Sequence, residues 1–382
     1  MRRSAVALAA IVVACLASGT ALASGPKADK VFVSGTGGSN CGGGRAYATI
    51  NDALANVGSG GTVHVCPGTY NEDVVVTKSV TLQGANAAVQ PGESDSSPLS
   101  EELGGNNAFT VLAANVTIRG FTVTGATADG IFVLGDHALI ENVRATGNAG
   151  VAINLDGSSW STVRDNTVTG NGAGGIELVN DPLAAGLPPE VLAAFGSSTG
   201  TATHDLVENN QVVENPFACG ILLVDHAGVS DALGIHDNTV RGNVVANNAL
   251  QGFGAGILLA SPVPGGAVFD NLIGGNTIYG NGLAGVTVHS HLPAQNMNGN
   301  VVTGNAIGTN NLRGGDQEPD DPQTTGVFIG SQGPLSITVS GNTISDNYYG
   351  IFEAGPALTV TGATTNTYSN VLVPIGTSAT FE

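Results

Sequence analysis

The stretch Asn166-Thr167-Val168-Thr169-Gly170-Asn171-Gly172-Ala173-Gly174-Gly175-Ile176-Glu177-Leu178 holds the two motifs that decide the fold. The first, Asn-x-(Val/Ile)-x-x-Asn, recurs at 166–171, 210–215, 238–243, 276–281, 300–305 and 342–347, with a looser copy from Asn142 to Asn148. The second opens Gly-(Ile/Val) and stands at Gly130, Gly150, Gly175, Gly220, Gly256, Gly285, Gly326 and Gly350. In both, apolar residues lie two apart, the period of a strand with one buried face. Asn and Gly bound them, and both tolerate the left-handed backbone that a sharp corner needs. The shortest repeat, Gly130 to Gly150, spans 20 residues, too few for a helical crossover between parallel strands. A chain that turns corners without helices about every 20–25 residues coils into a solenoid, with equivalent strands stacked ~4.8 Å apart. Asn side chains at equivalent corners can then ladder from coil to coil. The expected fold is all-β: a single right-handed parallel β-helix.

Working outward, residues 62–372 form the coil, 24–61 an N-terminal loop and capping helix, and 373–382 a C-terminal tail. Tyr47, Ile50, Ala53, Leu54 and Val57 share one helical face, which predicts a helix from Tyr47 to Val57 closing the open end of the coil. Residues 1–23 read as an export signal, with basic Arg2-Arg3, an apolar run from Ser4 to Leu16 and an Ala21-Leu22-Ala23 cleavage site. Val12-Val13-Ala14-Cys15 offers the alternative of a lipidated Cys15. No other segment is apolar enough to span a bilayer. The protein is therefore expected to be secreted or held in the cell envelope. Insertions leave the coil at 90–107, 181–203 and 310–325, and such loops commonly form a solenoid's working face.

The chain carries 11 basic and 30 acidic residues, a net charge of −19, and loss of Arg2 and Arg3 would make it −21. Such a field repels phosphate backbones, which excludes nucleic acid as a partner. It suits a neutral polysaccharide, or an acidic one bridged by calcium. A monomer is expected. In an oxidising compartment Cys41 and Cys66 form the natural disulfide, while Cys219, beside a repeat glycine, reads as a small buried hydrophobe.

The run from Gly61 to Gly84, with Val65-Cys66-Pro67-Gly68-Thr69-Tyr70-Asn71-Glu72 and Val80-Thr81-Leu82-Gln83-Gly84, resembles the first coil of the pectin-lyase-like β-helix superfamily. The Gly-Ile and Asn-x-Val repeats resemble that superfamily's generic repeat. The resemblance implies a fold and no single activity, since the superfamily holds lyases, hydrolases, esterases, epimerases and tailspikes. Gly68-x-Tyr70-x-Glu72 resembles one pectin-esterase motif without its partners, and Leu223-Val224-Asp225-His226 one pectate-lyase element without its Trp or the arginine motif.

When the repeats are aligned on their glycine, the sixth residue onward is Asp136, Asp156, Asp181, His226, Pro262, His291 and Gln332; the fifth includes Asp225 and the fourth His289. Placed outward, these residues would make an acid/His stripe. Asp225, His226, His289 and His291 are the candidate catalytic groups, through general acid–base chemistry, and His289-x-His291 has chelating geometry on a strand. Asp136, Asp156, Asp181 and Gln332 are candidate ligand contacts. Asp316, Glu318, Asp320 and Asp321 are candidate oxygen ligands for calcium, the one cofactor this reading provides for. The expected function is carbohydrate-directed: binding, or modifying by lyase or epimerase chemistry, an extracellular or cell-wall polysaccharide. Whether the protein is an enzyme stays open. A structural envelope or adhesion β-helix is the alternative, and a periplasmic metal-handling β-helix the third.

Overall fold

The computed structural model describes residues 27–35, 41, 46–91, 106–180, 201–228, 234–290, 292, 294–315 and 323–381. The signal segment and its lipidation alternative lie outside these residues. The described chain is a right-handed parallel β-helix: every strand pairing in it is parallel. Strands such as Gly174–Asn180, Ile221–Asp225, Ile257–Ser261 and Val286–Ser290 stack into an 11-stranded sheet. Short strands such as Thr239–Arg241 and Val244–Ala246 form two strips of a larger 22-stranded sheet, and Ile235–His236 pairs with Val268–Phe269 in a small third one.

The core is a column of stacked aliphatic files. One file runs Val63, Leu82, Ile118, Ile140, Val163, Val207, Val240, Ile273, Val302 and Val339, each paired in register with the next and none exposed. Each such side chain contributes about 1.5–3 kcal/mol on burial.

Corners are held by polar ladders. At the second corner Asn166, Asn210, Asn243, Asn276, Asn305, Asn342 and Asn366 stack, each Oδ1 accepting the backbone N–H and the Nδ2–H of the residue in the preceding coil. The third corner repeats this from Asn148 through Asn171, Asn215, Asn248 and Asn281 to Asn310. The first runs Ser161, Asp205, Asn238, Asn271 and Asn300. A left-handed residue usually stands just before the ladder position, as at Asp165, Asn209, Gly242, Gly275 and Gly304 at the second corner.

The six motif copies are therefore not equivalent. Asn238–Asn243 and Asn300–Asn305 span the first and second corners, whereas the other four span the second and third. The spacing is the same on both sides of the second corner, so sequence alone could not separate them.

The capping helix runs Ile50–Asn56, shorter than expected at both ends. Tyr47 is in a short strand paired with Ala28–Val33, and Val57 opens the next strand. Thr49 caps the helix by accepting Asp52 N–H, and Glu72 accepts the Ile50 and Asn51 amides at 2.7 and 3.0 Å. At the other end Val373–Ser378, expected in the tail, pairs in parallel with Tyr349–Ala354 and continues the coil. Cys41 and Cys66 form a disulfide across 25 residues, and Cys219 is buried, accepting the Ala255 N–H.

Two outcomes are expected. Asn243→Ala strands four hydrogen-bonding partners and should cost about 3 kcal/mol in urea denaturation, against under ~0.5 kcal/mol for exposed Gln211→Ala. Replacing both Cys41 and Cys66 by Ser should cost about 2–4 kcal/mol in the same measurement.

Candidate functional site

The register behind the expected stripe holds from Gly175 to Gly326 and fails at one coil. Glycine alignment holds where Val224, Ala260, His289 and Gly330 lie side by side in successive coils. It slips by two residues at Gly150, since Ile153 pairs with both Ile131 and Ile176. Asp156 is thereby aligned with Val179 instead of falling in the row of Asp136.

The outward placement fails at Asp225. Successive strand residues point to opposite faces, and Asp225 faces inward with no exposed surface. Its Oδ1 accepts the Ala227 and Gly228 amides at 2.8 and 2.9 Å, and its Oδ2 accepts the Ala267 amide at 2.6 Å. The carboxylate pins the exit of its own coil to the turn of the next. Asp136, also buried, accepts the Ser159 amide at 2.9 Å. Asp156 is buried as well, at the end of strand Val151–Asp156. His226 and His289 are half-buried, His289 with its ring 6.3 Å from Phe381. Gln332 is exposed just past strand Thr325–Ser331. Asp181, His291, Asp316, Glu318, Asp320 and Asp321 lie outside the described residues.

What the coil does align is a row of rings at its first corner. His137, Trp160, His204, His236 and Phe269 come one from each of five successive coils. Trp160 lies on His204 with centroids 4.0 Å apart and planes 16° from parallel. His236 lies on Phe269 at 4.8 Å and 19°, and His204 meets His236 edge-on at 6.4 Å. His137 is 6.5 Å from the free side of Trp160. Trp160 is 52% exposed, and His137 and His204 are exposed too. His137, Trp160 and His204 have φ of 58°, 60° and 59°, a left-handed conformation that histidine visits more readily than most residues and that is uncommon for tryptophan.

The Nδ1 atoms are occupied: that of His204 by Thr203 Oγ1 at 2.9 Å, that of His236 by Asp237 Oδ2 at 2.7 Å. Nε2 is left as the atom each imidazole can offer a ligand. The strands that leave this corner carry a parallel row of charge. Arg164 binds Glu141 through Nε and Nη2 at 3.0 and 2.7 Å, Arg241 binds Glu208 likewise at 3.0 and 2.8 Å, and Arg119 lies 3.7 Å from Glu141. Such surface pairs stabilise little, but they set a hydrogen-bonding edge beside the rings.

The right-handed β-helix region family matches residues 106–269. The family described as periplasmic copper-binding protein (NosD) matches residues 191–373. The A-module of mannuronan C-5 epimerase AlgE4 from Azotobacter vinelandii superposes with TM-score 0.50 at 18% identity, covering 87% of this chain and 94% of that one. The chain shares the right-handed parallel β-helix fold. The surface adhesin PfbA of Streptococcus pneumoniae superposes at 0.51, with 13% identity and 85% of each chain covered. The catalytic domain of a GH87 α-1,3-glucanase, solved with tetrasaccharides, does so at 0.52, with 12% identity and 94% and 67% covered. At these identities the likeness is one of fold. No curated protein matches the chain by sequence.

Copper favours sulfur or clustered imidazole ligands. Met297 and Cys219 are buried in the coil, and among the described residues no group of three or more His, Cys, Asp or Glu could hold a metal ion. The described donor set does not fit a copper centre.

Removing the Asp225 carboxylate should unfold before it inactivates. Asp225→Ala leaves one buried and two half-buried amides without an acceptor and should cost about 2–4 kcal/mol in thermal or urea denaturation. A stability equal to wild type would show that the carboxylate does not hold the turn.

Proposed function

We propose that this protein is an exported polysaccharide-binding β-helix whose ligand lies along the first corner, across His137, Trp160, His204 and His236. The observation that carries the reading is the exposed ring row itself, one ring per coil at the first corner, with Trp160 in a left-handed conformation rare for tryptophan. A coil rise of ~4.8 Å is close to one pyranose length, so a polysaccharide laid along the axis meets an equivalent group at each sugar.

The chemistry favours hydrogen bonding over broad stacking. Trp160 and His204 cover one face of each other, so a ligand meets their edges: the indole N–H and the imidazole Nε2 atoms. These, with Arg119, Arg164 and Arg241 and their carboxylate partners alongside, match sugar hydroxyls and ring oxygens. Binding is favoured over turnover because Asp136 and Asp225 are committed to backbone amides. The neighbours whose names speak of mannuronan and of α-1,3-glucan support the same ligand class. The Cys41–Cys66 bridge supports an oxidising compartment. A calcium-bridged acidic polymer through Asp316, Glu318, Asp320 and Asp321 is a second arm of the proposal, separable by adding or chelating calcium.

Trp160 is the sole tryptophan and so reports directly. Titration with mannuronan and with an α-1,3-glucan should change its emission for at least one polymer. The double variant Trp160→Ala, His204→Ala should weaken that binding about tenfold or more in calorimetry, equivalent to ~1.4 kcal/mol. His289→Ala should leave it unchanged. Equal affinity for the double variant removes the site; silence of the wild type toward every polymer favours a rigid envelope spacer.

A further inference from the structure

One ladder position under the ring row holds an acid where the coils that follow hold asparagine. At the first corner Asp205 stands where Asn238, Asn271 and Asn300 stand in the coils that follow. Its Oδ1 plays the usual part, accepting the Ser161 N–H at 2.6 Å, and its own N–H donates to Asn238 Oδ1 at 2.8 Å. Its Oδ2 therefore sits where each asparagine has its Nδ2. In the coils above, that nitrogen donates twice: Asn238 to Asn271 Oδ1 and the Ala202 carbonyl, Asn271 to Asn300 Oδ1 and the Ile235 carbonyl. The place is built for a donor between acceptors. An ionised carboxylate has none to give, and Asp205 Oδ2, fully enclosed, has no donor facing it. Flipping the Asn238 amide would not help, because its Nδ2 would then oppose the Asp205 N–H.

We propose that Asp205 is the neutral acid in the folded protein, with its proton on Oδ2 as the ladder donor, and that this proton positions the ring row. Asp205 is a positioning residue: it acts through its neighbours in the chain and across the coil. His204 precedes it directly, and the Ser161 amide it binds follows Trp160 directly. The two rings stacked at 4.0 Å thus hang from the two ends of one carboxyl hydrogen bond.

Burial drives the acid's affinity for its proton well up, the Ser161 hydrogen bond opposes this, and Asp136, two coils earlier, adds to the rise. Besides Asp136, the titratable groups at this corner are His204, next to it in the chain, and His236 with Asp237 in the following coil. The sign follows by linkage. The folded chain holds a proton that the unfolded chain releases above the ordinary aspartate range, so stability falls as pH rises from that range toward the folded-state value. When the proton leaves to solvent base, two acceptors oppose a buried charge and the ladder opens beneath Trp160 and His204.

The inference deepens the polysaccharide-binding reading, since it names the regulation of that site, but its test uses no ligand. Emission of Trp160 is followed from pH 4 to pH 10 in the wild type, in Asp205→Asn and in His204→Gln. Expected is a reversible one-proton change on the alkaline side in the wild type and in His204→Gln, absent in Asp205→Asn. Asp205→Asn restores the repeat residue, so it should fold, and its Tm should exceed the wild type's by more at pH 9 than at pH 4. Difference infrared spectra between the two at neutral pH should show the C=O stretch of a protonated carboxylic acid. The proposal is overturned by the same alkaline transition in Asp205→Asn, by a Tm difference independent of pH, by an ionised-carboxylate band, or by a wild-type emission flat across the range. A protein that passes these tests and binds no polysaccharide would retain the proton device and lose only the ligand.

Discussion

Everything in this molecule depends on how a buried corner satisfies its peptide groups. A β-helix coil turns several times without a helix, and each turn interrupts the strand ladder with amides that water cannot reach. An unpaired buried amide costs about 1–3 kcal/mol. Asparagine solves this because one side chain both accepts and donates. Its Oδ1 takes the N–H of the coil below, and its Nδ2 reaches a carbonyl there and the next Oδ1 above. The solution works only if the next coil presents the same group at the same height, so it propagates. Columns of asparagine, each usually announced by a left-handed residue, result. The aliphatic files then fall into register because the corners do.

The same constraint decides what the acidic residues are for. A carboxylate is a good acceptor and no donor. It therefore serves where a corner presents only amides, as Asp225 does with three and Asp136 does with one. Functional chemistry is displaced to side chains that the corners do not consume. In this chain those are the residues just before the first-corner ladder, whose side chains leave the coil.

Much of this was legible in the residues. Apolar period, Asn and Gly bounds and the 20-residue spacing between Gly130 and Gly150 suffice for the fold, and the Cys41–Cys66 pair is as expected. The register was not legible throughout. Counting from a glycine loses the register where Gly150 stands two residues out of step, and it does not name Ala267, 42 residues away, as what Asp225 meets inside. The ring row was hidden for a related reason. Its first members precede Ala138, Ser161 and Asp205, which are ladder positions without asparagine, so no Asn motif marks them. Alignment on the left-handed residue would have brought His137, Trp160 and His204 together.

The energetics of that corner explain why its rings call for a reason beyond folding. A left-handed conformation costs a non-glycine residue about 1–2 kcal/mol. At the same position the next two coils have Asp237 and Asp270, a residue type that visits this region readily, and the one after has Gly299, which has no such cost. The cost falls chiefly on Trp160, since histidine, like aspartate, visits this region more readily. Close stacking contributes about 0.5–1.5 kcal/mol, and only the Trp160–His204 pair is close. Stacking therefore offsets part of that cost, and burial offsets little, since the ring of Trp160 is half exposed. Strain kept where a smaller residue would serve is characteristic of functional positions. It sits here directly over Asp205, the one acid in a column of asparagines. The coil thus departs from its own most stable sequence twice at one height: once outside, in the rings, and once inside, in the group that holds them.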